Sequence, residues 1–249
     1  MASPVYDTIG QDYTAHRRPD PRWAALIATE LGQTARLLNV GAGTGSYEPA
    51  DRAVVAVEPS AVMIGQRPPG TAPAVRASGT ALPVADRAFD AVLAVLTIHH
   101  WGDWRAGLAE LCRVAPRRLL LTIDFEVHAR FWLLDDYLPR VADYVRQCRP
   151  TPGDIASALP VTTTHRLPLP PDLTDGVLGA RWRVPAAYLD PLVRANTSPL
   201  ALADPDHLAA GLAQLASDLA DGTWQARHGD LLSRNEYDLG YRLLVSQEP

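Results

Sequence analysis

Short apolar runs alternate with amphipathic stretches along much of this chain. Residues 36–40, 54–57, 74–76, 89–94 and 117–124 are brief and mostly apolar, and they read as strands. Helix signals lie between them. Asp20 caps and Pro21 opens a helix over 20–31, which Gly32 ends. Residues 108–114 read as the end of another. Beyond 125 the alternation loosens. Residues 130–149 read as one amphipathic helix, 161–167 as a sixth strand and 205–221 as a further helix. Residues 238–245 close the series as a strand, with Leu239, Tyr241 and Leu243 alternating. Strands separated by helices predict a mainly parallel α/β sheet.

The first strand runs into Gly41-Ala42-Gly43-Thr44-Gly45, three glycines spaced two apart. Glycine admits a ligand where any Cβ would clash. Glu58 follows the second strand, where an acid can accept both hydrogen bonds of a ribose diol. A nucleoside-containing cofactor is expected there. The dinucleotide fingerprint fails, because its third small position falls on Ser46. Only residues 46–53 separate Gly45 from the second strand, and Pro49 sits among them, leaving room for about one helical turn. A pyrophosphate wants a helix N-terminus. The spacing suits a cofactor without one, such as S-adenosylmethionine.

Further signals stand in a fixed order: Glu58-Pro59-Ser60 after the second strand, Leu82-Pro83 before Phe89-Asp90, and His99-His100 after the fourth strand. This order resembles the small-molecule branch of the class I S-adenosylmethionine-dependent methyltransferases over roughly residues 5–125, with the C-terminal strand added. The resemblance implies a Rossmann-like seven-stranded sheet with a helical cap insertion before the last strands. It also implies one domain over 1–249, the cap falling within 125–235. The cofactor-binding set it implies is Tyr13, Arg18, Gly41, Ala42, Gly43, Gly45, Glu58, Pro59, Met63, Ser78, Gly79 and Thr97. Tyr13 and Arg18 match a Y-x-x-x-R-P arm with a longer spacing. Asn39 and Ser78 depart from the family's acids at their places, so neither brings a charge.

Composition narrows the partners. The net charge of -5 argues against nonspecific nucleic-acid binding. All 23 lysine-plus-arginine residues are arginine, which excludes a Schiff-base or P-loop lysine. Cys112 and Cys148 lie far apart and make no zinc motif, so no metal is expected. No signal peptide and no apolar run of membrane-spanning length are seen, which predicts a cytoplasmic protein outside the membrane. The resemblance implies a small-molecule acceptor, and the chain leaves monomer and homodimer open.

Methyl transfer needs an in-line nucleophile, and a base only if that nucleophile arrives protonated. His99 and His100 follow the strand end where the methyl group is expected, and they are the candidate catalytic residues. Asp124 is a second candidate base. Trp101, Trp104, Phe131 and Trp132 are read as an aromatic wall, and Trp101, Phe131, Trp132 and Tyr137 as acceptor contacts. Two other functions share these features: non-methylating chemistry such as cyclisation on the same cofactor, and a cofactor-binding module acting through a partner.

Overall fold

A computed structural model describes Asp7 and residues 17–195 and 197–248; Tyr13 lies outside them. The core is a seven-stranded sheet of order β3-β2-β1-β4-β5-β7-β6. Its strands are β1 (Arg36–Val40), β2 (Ala53–Val57), β3 (Ala74–Val75), β4 (Ala91–Val95), β5 (Arg117–Ile123), β6 (Val161–Arg166) and β7 (Tyr241–Gln247). The first five pair in parallel, and β7 runs antiparallel to both β5 and β6. Strand order reverses between β1 and β4, and ligands of open α/β sheets settle at the carboxyl ends beside such a reversal.

The apolar runs are apolar because both faces of the sheet are covered. On one face Leu37, Leu93, Leu119 and Leu121 join a large core; on the other Leu38, Val92, Ala94 and Leu120 join a smaller one. Helix α1 (Pro21–Leu31) packs Trp23, Ile27 and Leu31 onto the first face. Asp20 caps it through the Arg22 amide, and Gly32 ends it at φ 55°. The short α2 (Ala61–Gly65) is capped by Ser60. Helix α3 (Trp104–Val114) covers the second face, with Leu108, Leu111 and Val114 buried.

The sheet is interrupted between β5 and β7 by α4 (Phe125–His128), α5 (Pro139–Gln147), α6 (Pro152–Ala158), β6 and the long α9 (Pro205–Asp221). The shorter α7 (Pro191–Ala195), α8 (Ser198–Ala201) and α10 (Thr223–His228) belong to the same stretch. The single helix expected over 130–149 is instead broken. A wide π-type turn covers Leu133–Tyr137, Leu138 leaves helical geometry at ψ 55°, and α5 begins at Pro139. Proline has no amide to continue the preceding helix, and it disfavours helical geometry in the residue before it. Residues 46–52 hold turns and no helix, as the short spacing requires.

Candidate active site

The glycine turn is built by backbone geometry. Gly41, Gly43 and Gly45 have φ of 68°, 52° and 95°, a region other residues enter only with strain. Space closes around them as well. A Cβ on Gly41 would lie 2.0 Å from Thr97 Oγ1, and one on Gly43 would lie 3.3 Å from Met63 Cε. The amides of Gly41 and Ala42 donate to the Val57 carbonyl at 2.8 and 3.1 Å, which ties the turn to the end of β2. Glu58 sits beside it, buried, and takes one backbone amide on each oxygen: Gly43 on Oε2 and Ser60 on Oε1, both at 2.8 Å. Burial raises its pKa against those two donors. Each oxygen keeps a lone pair, the arrangement a ribose diol requires. The Ser60 hydroxyl donates to Asp7, which brings that carboxylate to this turn.

Beneath the turn lies a buried polar network that the sequence did not signal. Arg67 pairs with Glu48 at 2.7 Å, both side chains about 5% exposed, and donates to the Gly43 carbonyl at 3.2 Å. Asn39 Nδ2 donates to Glu48 at 3.0 Å, while Asn39 Oδ1 is buried without a partner. A buried carbonyl oxygen left open two residues before Gly41 is suited to accept from the ammonium of a methionine moiety. The open cradle, the two-oxygen acid and this acceptor together fit S-adenosylmethionine.

The remaining cofactor candidates divide. Gly79 packs under Trp101, since a Cβ there would lie 2.9 Å from Trp101 Cε2, and Trp101 Nε1 donates to Thr97 Oγ1 at 3.3 Å. Gly41, Thr97, Trp101 and Gly79 thus form one contiguous wall. Ser78 turns inward on Thr80, its hydroxyl bonding that side chain at 2.8 Å. Pro59 and Arg18 are exposed. Arg17, not Arg18, turns toward the neighbouring cavity, held by Asp175 at 2.5 Å. Asp175 is buried and also accepts from the Tyr47 hydroxyl at 2.9 Å.

That cavity, of about 110 Å³, opens beside the ends of β4 and β5. Its inner wall is Leu96, Ile123, Phe125 and Tyr241, with His99, His100 and His128. Tyr144, Val145 and Leu202 from the insertion form the opposite side. Leu96, which starts the turn carrying the histidine pair, has φ 50°, a strained value for leucine. The His99 and His100 rings pack at a tilt of 48° with centres 4.1 Å apart, and Phe125 meets His99 edge-on at 5.7 Å. Desolvation holds His99 well below its ordinary pKa, helped by His100, His128 and Arg17 nearby. Desolvation lowers His128 to about 4. Desolvation lowers His100 to about 4 as well. At neutral pH the three rings are uncharged.

Several expectations are corrected here. The four-aromatic wall does not form: Trp101 and Trp104 pack on one face of the sheet, Phe131 and Trp132 on the other. Phe131, Trp132 and Tyr137 are core residues that do not line the cavity. Trp132 Nε1 donates to the Trp182 carbonyl at 3.1 Å, and the Tyr137 hydroxyl donates to Asp218 at 2.9 Å. Asp124 caps α4 through the Val127 amide and faces no ligand space. His128 was missed because nothing in its spacing marks it. It lies four residues past Asp124, and only the fold of α4 brings it beside His99.

Comparison with known proteins agrees with this geometry. A family model described as a methyltransferase domain matches residues 38–118. A demethylmenaquinone methyltransferase from Renibacterium salmoninarum is 34% identical over 113 residues, 42% of this chain. That match spans 48% of the Renibacterium protein, about half its length. A provisionally assigned methyltransferase from an antibiotic biosynthesis pathway of Anabaena variabilis is 31% identical, with a TM-score of 0.85 over 93% of this chain and 99% of that one. Geranyl diphosphate C-methyltransferase of Streptomyces coelicolor, solved with S-adenosyl-L-homocysteine, shares the fold at a TM-score of 0.51 and 13% identity. It covers 92% of this chain and 79% of its own. With the glycine cradle, the acid after β2 and the 3-2-1-4-5-7-6 sheet on one scaffold, the chain belongs to the class I S-adenosylmethionine-dependent methyltransferases.

Proposed function

We propose that the acceptor is a small apolar or aromatic molecule bound in the cavity between the ends of β4 and β5 and the insertion. S-adenosylmethionine, when bound, supplies an electrophilic methyl group. Gly41, Ala42, Gly43, Gly45, Thr97, Met63 and Gly79 would line its site, with Glu58 on the ribose and Asn39 Oδ1 on the ammonium. A cap over the acceptor falls within residues 125–235 of a single domain. The carrying observation is the lining of the cavity: a pocket of one-ring size walled largely by apolar and aromatic side chains, with Arg17 neutralised by Asp175 and no other Arg, Asp or Glu on its wall among the described residues. Such a lining selects against hydrated, highly charged acceptors. His99 and His100 contact the acceptor and orient it. The test is a screen of small aromatic and aliphatic acceptors with labelled S-adenosylmethionine, reading S-adenosylhomocysteine and labelled product. Label passing only to peptides, nucleic acids or polyanions would refute it.

A further inference from the structure

Resting on that reading, we infer that His128 is the hydroxyl-recognition residue of the acceptor site, and that the acceptor is an aromatic molecule bearing a hydroxyl group. The chain is shaped to hold this imidazole in one tautomer. Gly240, at φ 86°, brings the start of β7 so close to α4 that a Cβ there would lie 2.4 Å from the Asp124 carbonyl oxygen. That approach sets the Leu239 carbonyl 2.7 Å from His128 Nδ1. A carbonyl only accepts, so Nδ1 carries the proton and Nε2 carries the lone pair. Tyr241 fixes the ring edge-to-face at 5.4 Å, its own hydroxyl occupied by the Leu178 carbonyl at 2.8 Å. The ring lines the cavity, and among the described residues its one hydrogen bond is that of Nδ1 to Leu239. His99, which lines the same cavity, has its Nδ1 buried without a partner among the described residues.

A histidine needed only to satisfy the Leu239 carbonyl would be equally well served with its second nitrogen against solvent or a donor. Here a fixed lone pair lies on a pocket whose wall mixes apolar side chains such as Leu96, Ile123 and Val145 with polar ones such as His99, His100 and Thr197. A lone pair on the wall of a pocket takes its hydrogen bond from whatever fills that pocket, so a bound acceptor that carries a donor meets it there. Neutral imidazole accepts from O–H, and a phenol supplies that donor on a ring of the size the cavity holds.

For methylation at that oxygen, the O–H bond breaks as the proton passes to Nε2. The oxygen forms its bond to the methyl carbon, and the pair of the breaking S–C bond stays on sulfur. The sulfonium charge is replaced by an imidazolium charge, which is discharged when the proton leaves to water with the product. Charge is relocated within the pocket, not created there, so a site that keeps its imidazoles neutral can still carry the reaction.

The test is binding by the full chain, with no cofactor present. Calorimetry with 4-propylphenol and 4-propylanisole should show about a tenfold preference for the phenol. His128→Asn places an amide donor where Nδ1 lies and nothing at Nε2, so it should keep the fold and lose the preference. His128→Gln returns an acceptor near Nε2 and should restore part of it. In the unliganded protein labelled with ¹⁵N-histidine, the His128 resonances should show the Nδ1-protonated tautomer. Equal binding of the two probes, no binding of either, a preference that survives in a folded His128→Asn, or an Nε2-protonated ring would each overturn the proposal. S-adenosylmethionine binding and acceptor screening are read separately. A protein that methylates small acceptors without hydroxyl preference sinks the role of His128 alone.

Discussion

The two halves of the proposed site, one for the cofactor and one for the acceptor, are made in different ways. The cofactor half is local: Gly41 to Gly45, Glu58, Met63, Gly79 and Thr97 lie within 57 residues, and the essential contacts are backbone amides and missing Cβ atoms. The acceptor half is assembled from afar. Arg17, His99, His128, Tyr144, Leu202 and Tyr241 meet around one cavity, and the roles of their side chains depend on which strand or helix delivers them. Backbone geometry leaves a mark in sequence, because only glycine tolerates it. Side-chain convergence over long separations leaves none.

Large core changes test whether the halves are separable. Trp132→Ala should cost about 3–5 kcal/mol of stability, as for a fully packed aromatic. In protein that remains folded, affinity for cofactor and acceptor should change little; urea unfolding and calorimetry on the same sample decide. A selective loss of acceptor binding would return Trp132 to the pocket. Arg67→Ala is the matching change on the cofactor side. It strands Glu48 as an unpaired buried charge and should also cost about 3–5 kcal/mol. Replacing both partners by methionine should recover most of that loss in the same unfolding assay.

This contrast also explains what was legible in advance. The places of most strands along the chain, the cap and length of α1, the span of α9 and the glycine cradle follow from punctuation by Pro, Gly and Asp and from apolar runs. The Glu48–Arg67 pair was not legible, because a charged pair nineteen residues apart looks like any two surface charges until burial is known. Aromatic residues misled for a related reason. Trp101 and Trp132 look alike in a sequence, yet they cover opposite faces of the sheet. The break at Pro139 was written in the chain, and the amphipathic pattern running through it concealed it.

Acid should separate the halves next. His128 has a folded pKa of about 4 against an ordinary value near 6.5. A base with a depressed folded value is protonated first in the unfolded chain. Its contribution is therefore intact above pH about 6.5 and is lost as pH falls toward 4. For His128 alone the loss approaches about 3 kcal/mol. Unfolding free energies at pH 7, 5.5 and 4 should fall less steeply in His128→Asn than in the wild type. Parallel curves would mean that the ring is not held neutral by the fold. Asp20 and Asp238, lowered to about 2, titrate below this window.

The smallest of these effects is confined to the cofactor. Glu58→Ala removes an acceptor for the ribose and should weaken S-adenosylmethionine binding by about 1.5–3 kcal/mol, with phenol-probe affinity unchanged. Calorimetry with each ligand measures it, and equal weakening of both would deny that the halves are independent.

The bond between Arg17 and Asp175 sets an order on inheritance. The Asp175 side chain is 2% exposed and the Arg17 side chain 11%. If Arg17 is lost first, a carboxylate is stranded in the interior beside the Tyr47 hydroxyl. If Asp175 is neutralised first, the arginine keeps a long stem on which its head can turn toward water. A lineage giving up this fastening between the arm and the insertion would pass through the change at 175 before the change at 17. Descendants carrying Asp175 without a cation at position 17 should be scarce.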